Sequence, residues 1–145
     1  MIASSKETAM FRSIIVPMDV AQKEKSARMI ASARQLLDTG GRITLVNVVE
    51  VMPLYEMPEL ATEMRAKAAE GAKTLLTDLA AQEKLDAEIE VHQGNAAMVI
   101  LDIAREKGAD AIVIASHRPG LQDYFLGSTA ARVVRHAPCS VLVLR

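Results

Sequence analysis

The chain has 145 residues, half of them hydrophobic but only 3% aromatic and none tryptophan, which fits one domain with an aliphatic, Ala- and Met-rich core. A formal net charge of −1 supplies no basic excess for nucleic acid or an anionic membrane. The single cysteine, Cys139, excludes an intrachain disulfide and a Cys-based zinc site, and His92, His117 and His136 lack ligand spacing, so no metal site is expected.

The opening MIASSKETA is polar and is expected to be a flexible extension, residues 1–10, ahead of a single domain over residues 11–145. No apolar run approaches the roughly 20 residues that span a bilayer, and the cytoplasm is the expected location.

In chain order, Ser13–Pro17 (SIIVP) predicts a first strand. After Asp19, apolar residues at helical spacing run to Asp38, where Gly40-Gly41 is expected to stop the helix. Ile43–Val49 (ITLVNVV) predicts a second strand. A loop rich in Pro and Met leads to a long helix over Glu59–Gln82, with Met64, Ala68, Leu75 and Leu79 on its expected inner face. Ala87–Val91 alternates apolar and acidic residues, the mark of a strand with one wet face or edge.

Gly94-Asn95 predicts a turn and an N-cap, followed by a helix over Ala96–Lys107 with Ile100, Ile103 and Ala104 inward. Asp110–Ala115 (DAIVIA) has the uninterrupted apolar character of a central parallel strand. A last helix, Ser128–His136, is expected to bury Ala130, Val133, Val134 and Ala137, and Ser140–Leu144 (SVLVL) predicts the final strand.

Strand–helix alternation implies an α/β fold, an open parallel five-stranded sheet with helices on both faces. Two strand orders compete, 2-1-3-4-5 and 3-2-1-4-5. Only the second puts the alternating third strand at an edge, so it is preferred. The last strand is then an edge too, and Val141–Leu144 carries no charge or proline to blunt it. Either Arg145 shields it or it pairs with a second copy. The homodimer, extending to larger homo-oligomers, is the stronger expectation.

Ligands of open parallel sheets bind beyond the strand carboxyl ends where the winding reverses. Pro17-Met18-Asp19, Val48-Val49-Glu50 and the segment from Ser116 to Ser128 converge there. A helix opening at Gly127 offers free N–H groups to an anion, with hydroxyls from Ser128 and Thr129. Arg118 brings a guanidinium suited to phosphate oxygens, and His117 a further donor. Asp19 suits ribose hydroxyls, and Val48 offers backbone contacts to a base. The alternatives are a plain helix cap at Gly127-Ser128, a capping role for Asp19 and a solvated Arg118. G-x-x-x-x-G-K-[ST], G-x-G-x-x-G after the first strand, and G-x-S-x-G are all absent, which disfavours a P-loop NTPase, the usual dinucleotide site and an acyl-transfer enzyme.

The segments IIVPMDVA, LVNVVE, GADAIVIASH and LGSTAARVVRHAPCSVLVLR resemble, in order and spacing, the universal stress protein family over residues 11–145, with the SHRP…LGS…VVRHA wording of its bacterial F/G branch. The resemblance implies a Rossmann-like fold of the adenine nucleotide alpha hydrolase type, order 3-2-1-4-5, and dimerisation through the last strand. It also implies binding of ATP with Mg²⁺ and a nucleotide-regulated role in stress response. On the family's pattern Pro17, Asp19 and Val48 match nucleoside contacts, while Ser116, His117, Arg118, Gly127, Ser128 and Thr129 match the phosphate segment. The family's ATP-binding loop is G-x-x-G-x9-G-[ST]. Here Ala115 and Arg118 take the first two glycine positions, and eight residues, Pro119–Leu126, precede Gly127-Ser128. Slow hydrolysis or self-phosphorylation is compatible with this pattern, Asp123 and His117 being candidate bases and Ser128 or Thr129 candidate acceptors. A nucleotide-independent dimeric interaction module of the same fold is the alternative, and an enzyme acting on another adenylated or phosphorylated small molecule a third reading.

Overall fold

A computed structural model describes residues 10–19, 22–50, 55–116 and 126–145. The expected N-terminal extension, but for Met10, and residues 117–125, which include His117, Arg118 and Asp123, lie outside these. The elements are β1 (Phe11–Pro17), α1 (Lys23–Leu36), β2 (Leu37–Val49), α2 (Pro58–Gln82), β3 (Ala87–Gln93), α3 (Ala96–Glu106), β4 (Ala111–Ala115), α4 (Ser128–His136) and β5 (Ser140–Leu144). All strand pairs are parallel, in the order β3-β2-β1-β4-β5. The expected strand order is the observed one, with β3 at an edge.

Successive residues of a strand point to opposite faces, so the apolar run of β1 has to be covered twice. Ile14 and Val16 pack with Leu45, Val113, Ile30 of α1 and Leu76 of α2. Ile15 packs on the other side with Ile112, Ile100 of α3 and Val133 of α4. Two helices thus cover each face. Among the described residues no helix is long and apolar enough to cross a membrane.

Three local expectations are corrected. First, α1 stops at Leu36 and the glycine pair falls inside β2. There β2 advances from Leu37 to Arg42 while β1 advances only from Phe11 to Ser13, so the extra residues bulge out. Gly40 takes a φ of +79°, and a Cβ on Gly41 would meet Leu37 Cδ1 at 2.7 Å and Asp38 O at 2.9 Å. The glycines serve a bulge and not a helix stop.

Second, α2 buries Ala61, Ala72, Leu76 and Ala80, leaving Met64 and Leu75 exposed with Ala68. Leu79 alone of the expected face packs against the core. Alanines let the helix lie close to the sheet, so the larger side chains of the neighbouring row turn outward. Third, α4 buries Ala130 and Val133, and half-buried Ala137 packs beside them, but Val134 is exposed. The Asn95 cap is as expected, its side-chain oxygen accepting from Met98 N at 3.1 Å.

At the amino ends of the strands the Asp110 carboxylate accepts from Arg12 N (2.9 Å) and Ser13 N (2.9 Å), and Asp110 N donates to Ser13 O (3.0 Å). This fastens β4 to β1 where their ladder is short. Nearby, burial and then the Asp110 carboxylate push the Cys139 thiol up, which suits a small packed hydrophobe. Asp110→Ala strands two backbone donors and is expected to cost about 1.5 kcal/mol, with Asp110→Asn intermediate. Urea denaturation at neutral pH checks this, and equal stability of all three chains would refute the clasp.

The wet face of β3 carries a charge network. Lys107 Nζ lies 2.7 Å from Glu88 and 2.9 Å from Glu90, Arg42 3.2 Å from Glu88, and His92 2.8 Å from Glu90. Hydrogen bonds from Lys107 and then Arg42 lower the Glu88 pKa. At Glu90 burial acts to raise it, but the bonds from Lys107 and His92 prevail and the net shift is downward. Glu88 and then Glu90 raise the pKa of Lys107. The carboxylates' contribution is therefore present above the ordinary value of 4.5 and lost as pH falls through their lowered folded values. That of Lys107 is present below its ordinary 10.5 and lost as pH rises through its raised one. The groups are partly exposed, so Lys107→Met is expected to cost at most about 1 kcal/mol at pH 7. Denaturation curves of the two chains should converge in strongly acidic solution. A gap that persists there rules out an electrostatic origin.

Candidate functional site

A cleft of about 740 Å³ opens at the carboxyl ends of β1, β2 and β4, where the winding reverses. That volume suits a small-molecule ligand. Pro17, Met18, Asp19, Val48, Gly127, Ser128 and Thr129 all line it, together with Glu50. Ser116 does not appear in its wall; its N–H donates to Leu144 O at 2.8 Å and prolongs the β4–β5 ladder. His117 and Arg118 lie outside the described residues.

Backbone pairing builds the near wall. Met18 N donates to Val46 O at 2.7 Å, so β1 remains tied to β2 one residue beyond Pro17. Met18 is 5% exposed and packs in the core below the cleft, so its side chain is a floor and the exposed Asp19 is the polar group above it. The helix α1 is capped at Gln22, three residues after Asp19, and Gln22 N donates to the Asp19 carbonyl at 3.1 Å. Asp19 is therefore not the N-cap, and its place is in the cleft wall.

The far wall is the first turn of α4. Gly127 is its N-cap with φ −54° and ψ 153°, and as a glycine it brings no side chain to cap the first turn. The N–H groups of the first turn are of the kind that a helix leaves without internal partners, and the helix dipole adds positive potential there. Ser128 and Thr129 place hydroxyls on the same rim.

Several lining residues escaped the sequence analysis. Asn47 Nδ2 donates to Met18 O at 2.9 Å, which locks the turn that carries Asp19. A polar residue within ITLVNVV was the available signal. Lys25 and Gln22, on the first turn of α1 and its cap, face the cleft, and Ala96 and Ile100 supply an apolar wall from α3. Lys25 sits in the charged stretch KEK, which looks like solvated surface until α1 is placed over β1 and β4. Half-buried, it forms no ion pair with a described carboxylate. The cleft is therefore polar in a directed way. Asp19 and Glu50 bring carboxylates, whereas Lys25 and the α4 terminus bring positive potential.

Comparison with known proteins agrees with this architecture. Residues 10–145 match the model of the Universal stress protein family. Universal stress protein G of Salmonella typhimurium is 32% identical over 142 residues, covering 94% of this chain and all of that protein. Among solved structures, that of MJ0577, determined to assign its biochemical function, matches with a TM-score of 0.77 at 21% identity, covering 94% of this chain and 96% of the other. A universal stress protein in complex with cAMP matches with a TM-score of 0.59 at 19% identity, covering 93% and 97%. At these identities the two structures speak for the fold. With the family model spanning the domain and the observed strand order agreeing, the chain belongs to the universal stress protein family.

Proposed function

We propose that this chain is an ATP-binding universal stress protein of the cytoplasm, a homodimer whose nucleotide state regulates other proteins. The observation that carries the reading is the polarity of the cleft. A base and ribose fit between Val48 and Asp19, with phosphates directed at the first-turn amines of α4 and at Lys25. Pro17 and Met18 form the floor, Gly127, Ser128 and Thr129 contact phosphate, and Ser116, His117 and Arg118 complete the phosphate segment. Magnesium enters with the nucleotide. That a family member was solved with cAMP, itself an adenine nucleotide, supports the ligand class.

A second reading, a dimeric interaction module without nucleotide, is favoured by Ala115, which stands in the cleft wall where the family's ATP-binding loop begins with glycine. Thermal unfolding against ATP with Mg²⁺, with AMP and GTP as controls, separates the two. At a hundredfold excess over Kd about 2.7 kcal/mol of stabilisation is expected, a rise in midpoint of roughly 5–10 °C. Gly127→Val keeps a backbone conformation open to any residue but fills the approach to the α4 amines, and should abolish the shift while leaving the unliganded midpoint intact. A wild-type midpoint indifferent to ATP would transfer the case to the interaction module. A Gly127→Val chain that still responds would move the site elsewhere.

The homodimer rests on β5. Ser140–Leu144 is an edge strand with Leu142 38% exposed at its middle and no charge within it. Leu142→Lys should weaken pairing with a second copy and lower the mass measured by sedimentation equilibrium. An unchanged mass excludes β5 as the interface.

A further inference from the structure

Val48 and Asp19 belong to neighbouring strands, the first on β2 and the second in the turn that leaves β1. Pro17 is paired with Val46, and Met18 N donates to Val46 O at 2.7 Å, so the Val46 carbonyl faces β1. Along a strand the backbone polar groups of alternate residues face the same neighbour. Val48 therefore directs its N–H and C=O to the β1 side as well, where β1 has already ended. Asn47, between them, turns its backbone toward β3, where it is paired with Val91. Its side chain reaches the residue just past β1 instead, and Nδ2 donates to Met18 O at 2.9 Å.

The backbone of Asp19 is held on both sides. The carbonyl before it, on Met18, accepts from Asn47, and its own carbonyl accepts from Gln22 N at 3.1 Å. The Met18 side chain, 5% exposed, is fixed in the core below. Peptide planes are rigid, so bonding both planes that flank the Asp19 Cα leaves its φ and ψ little freedom. Two of the three bonds around Met18 and Asp19, those from Met18 N and Gln22 N, join backbone to backbone. The third depends on a side chain, and a carbonyl acceptor requires a donor there. Asn47 supplies it from the cleft wall, where it is half-buried.

Resting on the nucleotide-binding reading above, we infer that Asn47 is a positioning residue that makes the cleft select the sugar of its nucleotide. By holding the Met18 carbonyl it keeps the Asp19 carboxylate at a set spacing from the Val48 backbone, with the base at one and the ribose at the other. A carboxylate ordered in advance accepts from the ribose hydroxyls without a further loss of freedom on binding. A sugar that lacks those hydroxyls gains nothing from that order. Asn47 thus acts on the ribose through Asp19, on the wall opposite the first turn of α4, and leaves the phosphate contacts alone. The cleft prefers a ribonucleotide to its dideoxy counterpart, and the preference depends on the Asn47 amide.

Calorimetric titration of the full chain with ATP and with 2′,3′-dideoxyadenosine triphosphate, each with Mg²⁺, tests this. Wild type should bind ATP roughly tenfold more tightly. Asn47→Ala, and Asn47→Leu of similar size but without a donor, should each weaken ATP by roughly fivefold to tenfold. The dideoxy compound should change by less than about twofold, so the ratio of the two constants falls toward one. Asp19→Ala should act alike, and Asp19→Ala with Asn47→Ala should bind ATP no worse than Asp19→Ala alone. Circular dichroism and the unliganded melting midpoint verify that the variants fold. A merely structural Asn47 would weaken both ligands equally, and its loss would add to that of Asp19→Ala. Either result overturns the inference, as does a wild type indifferent to the sugar, while nucleotide binding stands. A wild type that binds neither compound removes the nucleotide reading and the inference together.

Discussion

Ile14, Ile15 and Val16 are fully buried although they point alternately to opposite faces of the sheet. A strand of that kind is stable only between two helical layers, since apolar surface left in water costs about 25 cal/mol per Å². The chain meets the demand by winding outward from β1, first through β2 to β3 and then, after crossing back, through β4 to β5. Right-handed crossovers put α1 and α2 over one face and α3 and α4 over the other. Where the two directions part, the chain leaves β1 and β4 toward opposite sides, and the cleft opens at those strand ends. The cleft is a consequence of burying β1.

The same topology sets the electrostatics of the site. The turn after β1 delivers Asp19 to one wall, held by the bond from Asn47 to the Met18 carbonyl. The opening turn of α4 forms the other, while α1 lies across β1 and β4 and hands Lys25 to the same space. Each group comes from a different element. Their convergence at a single opening gives the cleft a negative side and a positive one.

The two sheet edges are treated unequally. On β3, Glu88 and Glu90 engage Lys107, Arg42 and His92, so the outer strand presents charge. On β5 the side chains are Val141, Leu142, Val143 and Leu144, partly exposed and uncharged. Only the second edge is suited to adding another strand. Toward the β3 edge, α2 shows how size misleads: its larger apolar residues Met64 and Leu75 face water because alanines fit the narrow gap above β2 and β3.

The sequence by itself determined the order and type of every element, the parallel sheet and the place of β3, because period and composition act between residues close in the chain. The alternation in Ala87–Val91 and the unbroken run in Asp110–Ala115 were enough to rank the strand orders. Gly127-Ser128-Thr129 and Asp19 were also legible, as turn and helix-start chemistry. The tertiary structure alone decided which face of α2 is buried, that Gly40 and Gly41 bulge from β2, and that Asp110 clasps Arg12 and Ser13. It alone brought Lys25 of α1 and the first turn of α4 to one cleft. They lie about a hundred positions apart in the chain, and no local pattern marks the pairing. Only the burial of a shared core fixes the distances between them.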